Sequence, residues 1–97
     1  MRLDFGGEIW FWRGPSPFHF VTIPEPESAA LNEIAGVVSY GWGVVPVEAH
    51  LGHTSWATSL TPKNGGYLVP LKESVRAAEG LEVGDYVDIS VIVSVSY

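Results

Sequence analysis

The sequence predicts an all-β fold, a small closed or split β-barrel of about six or seven strands with two short capping helices, built as one domain across residues 1–97. Three observations carry this. The C-terminal stretch alternates strictly, with Val87, Ile89, Val91, Val93, Val95 and Tyr97 on one face and Asp88, Ser90, Ser94 and Ser96 on the other; Ile92 is the one exception. Alternation of that length means a strand with one buried face. Glycine- and proline-rich turn signals then separate several further short apolar runs, and helical periodicity occurs in only two places.

Residues 2–12 form the first strand. Leu3, Phe5, Ile9 and Phe11 share one face, and Arg2, Asp4 and Glu8 share the other, which continues into Trp10 and Trp12. Arg13-Gly-Pro-Ser-Pro is a turn, and Phe18 to Ile23 returns as the second strand of a hairpin, ended by Pro24. A helix of about ten residues follows over 24–36: Pro26 suits its first turn, Glu27 the positive end of its dipole and Gly36 its C′ position. Ala30, Leu31 and Ile34 give it an apolar stripe.

Tyr40-Gly-Trp-Gly43 reads as an aromatic loop, and Val44 to Leu51 as a strand in which Pro46 points to an edge or a bulge. Gly52 turns the chain into a strand over 54–60 that contains Trp56, and Thr61-Pro-Lys-Asn-Gly-Gly66 is a turn by composition. Tyr67 opens a strand that leads to a short helix, with Leu71, Val75 and Ala78 on one stripe. Gly80-Leu81 suits a Schellman cap, and Gly84-Asp85 turns into the last strand.

Composition narrows the function. At 46% hydrophobic and 16% charged the chain is globular rather than disordered. The absence of cysteine excludes disulfides, thiolate metal sites and cysteine nucleophiles. Met1-Arg-Leu-Asp lacks the apolar region of a signal peptide and no run is long enough to span a membrane, so the expected location is cytoplasmic, with no membrane partner. A net charge of -6, with five Lys and Arg against eleven Asp and Glu, argues against nucleic acid, whose binding draws on cations that neutralise phosphates.

Two resemblances arise from the motifs. The strand, Pro, short helix, Gly-Leu-x-x-Gly-Asp-x-Val and strand around residues 67–89 resemble the AbrB-like swapped-hairpin half-barrel. More of the chain resembles the bacterial domain-of-unknown-function family DUF1905. That likeness rests on Trp12-Arg-Gly-Pro-x-Pro-Phe, Phe20-Val-Thr-Ile-Pro24, Tyr40-Gly-Trp-Gly43, Pro46-Val, Trp56-x-Thr-Ser-Leu-x-Pro-Lys-x-Gly-Gly-Tyr-Leu-Val-Pro-Leu-Lys72 and Val75-Arg-x-Ala-Glu-Gly-Leu-x-x-Gly-Asp85. It implies a closed or split barrel with short helices at its ends, and no defined activity. The pattern departs at His53, where a second glycine is expected after Gly52.

Candidate chemistry is sparse. Trp10, Trp12, Trp42 and Trp56, with Tyr40 and Tyr67, offer a stacking platform for a planar ligand, against the ordinary use of tryptophan to pack the ends of small barrels. Lys72 and Arg76, at i and i+4 with Lys63 nearby, suit a carboxylate or phosphate, against simple solvated pairing of Arg76 with Glu73 and Glu79. His50 and His53, with Glu48 on the strand face of His50, suggest a metal pair, but a site needs three or four convergent ligands and no second cluster supplies them; His19 reads as a half-buried structural residue. Thr58, Ser59, Asp85 and Asp88 come without a nucleophile elbow, zinc motif or phosphate loop, so no enzyme and no cofactor is indicated. The resulting expectation is non-catalytic: binding of a small anionic or planar ligand, or of a protein partner, at a barrel end, with Trp12, Trp56, Lys72 and Arg76 nearest the site. The alternative is a homo-oligomeric interaction module without a ligand, pairing through an uncovered edge of the long C-terminal strand.

Overall fold

The structure, a computed structural model, describes residues 1–38 and 44–93. The expected loop around Tyr40 and Trp42 and the strand residues 94–97 lie outside the described residues. Six strands and two helices follow in the order β1 (Arg2–Trp12), β2 (Phe18–Thr22), α1 (Glu25–Val38), β3 (Val45–Leu51), β4 (Thr54–Lys63), β5 (Gly66–Leu71), α2 (Glu73–Glu79) and β6 (Tyr86–Val93). The strands close into a barrel in the order β1-β2-β5-β4-β3-β6, with every registered pair antiparallel. The all-β reading holds, and the barrel is closed.

Alternation decides what fills the barrel. Phe5 and Ile9 of β1, Val21 of β2, Val45, Val47 and Ala49 of β3, Leu60 of β4, Val69 and Leu71 of β5, and Val87, Ile89, Val91 and Val93 of β6 form one buried cluster. On β6 the exception foreseen from sequence is real: Ile92 points outward and is 39% exposed. Leu31 of α1 and Val75 of α2 add to the same cluster, so both helices lie over the core. Side chains fill the interior, as in other small barrels.

β1 turns the corner of the barrel. It pairs with β6 through Glu8 and with β2 from Ile9 onward. Just before the switch, the Tyr86 ring lies over Gly6, where any Cβ would strike it, and a Cβ at Gly7 would come within 2.9 Å of Val21. Glycine at these two positions lets the strand bend while its neighbours cover it.

The turns are tighter than composition indicated. Asn64 and Gly65 take φ of 51° and 81° between the paired Lys63 and Gly66. Two successive positive φ values are the type I′ hairpin pattern, so β4 runs on through Pro62 to Lys63 instead of ending at Leu60. At the β3–β4 turn only Gly52 has positive φ, 59°, between the paired Leu51 and Thr54. A single positive φ at the first central position is the type II′ pattern, which makes no glycine demand on the second. His53 is therefore compatible with the turn despite its departure from the motif.

Three further details differ from the sequence reading. α1 continues through Gly36 to Val38, because one internal glycine costs only about 1 kcal/mol relative to alanine. α2 starts after Lys72, which stands extended at the N-cap, and it buries Val75 while Ala78 is exposed. Its C-terminus follows expectation: Gly80 is left-handed, its N–H bonds the Ala77 carbonyl, and the Leu81 N–H bonds the Arg76 carbonyl, a Schellman cap. Finally, β6 is paired on one side by β1 and on the other by β3. From Ser90 to Ile92 this strand therefore offers no free edge, while Tyr86 to Ile89 are registered with β1 alone. No helix among the described residues is long and apolar enough to cross a membrane.

Candidate functional site

The most distinctive surface is the outer face of the β1–β2 hairpin. Ile9 opposite Val21 points into the core, so the next register pairs, Trp10 opposite Phe20 and Trp12 opposite Phe18, point out. The four rings form a continuous wall. Trp10 meets Trp12 edge-on with centroids 6.5 Å apart, Trp10 lies 5.5 Å from Phe20, and Phe18 lies 5.8 Å from Phe20.

Each indole is fixed by a local contact. Trp10 Nε1 donates to Thr22 Oγ1 at 3.0 Å. Trp12 lies over Gly14, where a Cβ would collide with the ring. The Lys63 ammonium sits 3.7 Å from the Trp12 ring centroid and 5.2 Å from that of Trp10, within cation–π range of both. Beside this corner lies a cleft of about 480 Å³ bounded by Trp10, Thr22, Glu25, Ser28, Lys63 and Leu68. Its far wall is set by α1 and the β4–β5 turn: Ser28 Oγ donates to the Ile23 carbonyl and Asn32 Nδ2 to the Gly65 carbonyl.

The residues singled out from sequence do not converge. Trp12 belongs to the aromatic wall and is 37% exposed. Trp56 is 8% exposed in the barrel core, its Nε1 donating to the Pro70 carbonyl at 3.3 Å. Lys72 reaches across to the Ala57 carbonyl at 3.1 Å. Arg76 is half-buried beside a separate cleft of about 340 Å³ with Glu73, Leu81 and Glu82. The Lys72 carbonyl accepts the Arg76 N–H at 3.1 Å, but the Lys72 ammonium turns to β4 and away from the cleft beside Arg76. Glu79 does not pair with Arg76 either; its carboxylate accepts from Thr54 Oγ1 at 2.6 Å and from the His53 N–H at 3.3 Å, tying α2 to the β3–β4 turn.

Lys63 meets the β1 tryptophans instead of Lys72 and Arg76, and Phe18 and Phe20 join the surface beside them. A signal for the phenylalanines was available. His19, Val21 and Ile23 share the inward face, so the residues between them point outward, towards Trp10 and Trp12 once the hairpin is registered.

His19 lies with its ring tilted against Phe11, centroids 4.8 Å apart, and is half-buried, as expected. Burial, and then the nearby Arg76 charge, hold its pKa below the ordinary histidine value. The unfolded chain therefore binds a proton more readily than the folded one, and stability falls as pH drops below about 6.5. An NMR titration of His19 should give a midpoint below that value, and Arg76→Ala should raise it. A midpoint at or above the ordinary value would contradict this.

Other polar groups are structural or weakly arranged. Asp85 accepts from the Glu82 N–H at 2.8 Å and closes its own turn. Ser90 donates to Asp4 Oδ1, and that hydrogen bond, followed by Arg2, holds the Asp4 carboxyl below its ordinary pKa. A carboxylate so stabilised is a poor base for activating a serine hydroxyl. His50 Nε2 lies 3.9 Å from Glu48 Oε1, and no group of three or more metal-ligating side chains occurs among the described residues.

A family model described as domain of unknown function (DUF1905) matches residues 5–91, a span that contains β1 from Phe5, all of β2 to β5, both helices and β6 to Val91. No curated protein matches the chain.

Proposed function

The chain belongs to the domain of unknown function (DUF1905) family, and we propose that it is a non-catalytic binding domain that holds a small planar ligand in the cleft beside Trp10. One observation carries this reading. An indole fixed by its own hydrogen bond borders a cleft of about 480 Å³, a volume within the usual range for small-molecule sites. Leu68 and Ile23 supply apolar walls, while Thr22, Ser28 and the backbone of the Asn64-Gly65 turn supply polar groups to orient a ring. With the barrel interior filled by side chains, the outer wall is where a ligand finds room. An anion held jointly by Lys72 and Arg76 has less support, since Lys72 is engaged with β4 and Arg76 borders a different cleft.

The test is a tryptophan-fluorescence titration against a panel of planar metabolites. A true ligand quenches emission in the wild-type domain, and Trp10→Ala, with its melting transition retained, weakens binding at least about tenfold, as expected for loss of a stacked anchor. A ligand bound equally well by folded Trp10→Ala would place the site elsewhere and reject this reading.

A further inference from the structure

The Lys63 ammonium occupies an unusual position for a surface lysine. Trp10 and Trp12 meet at an interplanar angle of 66°, forming two walls of a corner, and the ammonium lies 3.7 Å and 5.2 Å from their centroids. Among the described residues it makes no hydrogen bond within 3.5 Å and no ion pair within 4.0 Å. The ring faces attract its charge, but they satisfy none of its three N–H donors, which water serves better.

We infer that the Trp10–Trp12 corner is a recognition site for a methylated ammonium group, and that Lys63 is the chain's own exchangeable occupant of it. A quaternary ammonium keeps the positive charge and has no donor to leave unsatisfied, so the same ring faces suit it better than they suit lysine. The corner does not depend on Lys63 for its shape, because Trp10 is held by Thr22 and Trp12 rests on Gly14. Lys63 adjoins the Asn64-Gly65 turn, at the end of β4, where a long side chain can swing into water. Glu25 is among the residues lining the adjoining cleft, and the chain carries a net charge of -6, so the overall field favours a cation. This goes beyond the cleft reading above by adding a cation site at the neighbouring corner, and it rests on the same wall.

The experiment follows the indole N–H signals of the whole domain by proton–nitrogen NMR. The probes are choline and its uncharged isostere, in which a tert-butyl group replaces trimethylammonium. Choline should shift the Trp10 and Trp12 signals saturably, and the isostere should not. Removing a competing exposed cation–π contact in Lys63→Ala should tighten choline binding about two- to fivefold. Trp12→Ala, checked for an unchanged fold by its spectrum, should abolish saturation. The inference is overturned if choline leaves both indoles unmoved in Lys63→Ala, if the isostere binds as tightly, or if Lys63→Ala loosens choline. Planar ligands that bind while choline fails would sink the cation site and leave the cleft standing. Choline binding without any planar ligand would do the reverse.

Discussion

Trp56→Ala is expected to lower the stability of the domain by about 3–5 kcal/mol, the usual cost of removing a large buried ring. Trp56 lies opposite Ala49 in the β3–β4 register, 8% exposed among the core side chains. Its second role is polar. β5 is registered with β4 only through Leu68, whereas its pairing with β2 continues to Leu71, so Pro70 sits where the β4–β5 ladder has opened. The indole N–H then serves the Pro70 carbonyl at 3.3 Å, in place of a backbone donor. Trp56→Phe retains most of the ring and loses that bond, for a cost of about 1–2 kcal/mol. Urea unfolding with an unchanged slope would measure both. A loss under about 1 kcal/mol for the alanine variant would show that the ring is not part of the core.

Ile89→Asp is expected to abolish cooperative folding at 25 °C, while Ile92→Asp changes stability by no more than about 0.5 kcal/mol. Both residues are on β6, the strand that joins β1 to β3. Ile89 is 2% exposed and opposes Phe5; Ile92 is 39% exposed on the outer face. A carboxylate at position 89 would have to stay ionised in an apolar interior or take up a proton, and either costs several kcal/mol. A domain of this size has a total stability of only about 5–15 kcal/mol, so that one term consumes most of it. Circular dichroism melts of the two variants decide the matter. A cooperative transition in Ile89→Asp near that of the wild type would mean that β6 presents the opposite face.

The bound on function follows from the same geometry. The barrel interior is occupied, and β6 is paired on both sides from Ser90 to Ile92. The binding proposed above is therefore assigned to the outer wall, where aromatic side chains were not needed for the core. Four aromatic residues gathered there, Trp10, Trp12, Phe18 and Phe20, are difficult to assign to folding alone.

The sequence by itself determined which face of β6 is buried, because period-two alternation is a local property. Val87, Ile89, Val91 and Val93 are all buried on β6, and the outward Ile92 was marked as the exception. It also determined the α2 stop at Gly80-Leu81 and the Gly84-Asp85 turn, since a left-handed residue and a side chain bonded to its own backbone act within a few residues. Trp10 and Trp12 stood out for breaking the polarity of their strand. Only the tertiary structure decided what those tryptophans meet. Trp56 looked like a partner of Trp12 and instead fills the core, whereas Lys63, on β4, is brought onto the β1 tryptophans. Strand order, barrel closure and register set those neighbours, and they arise from pairings between residues far apart in the chain. A single strand's pattern fixes inside from outside, but it carries no information on which outward side chains will share a surface.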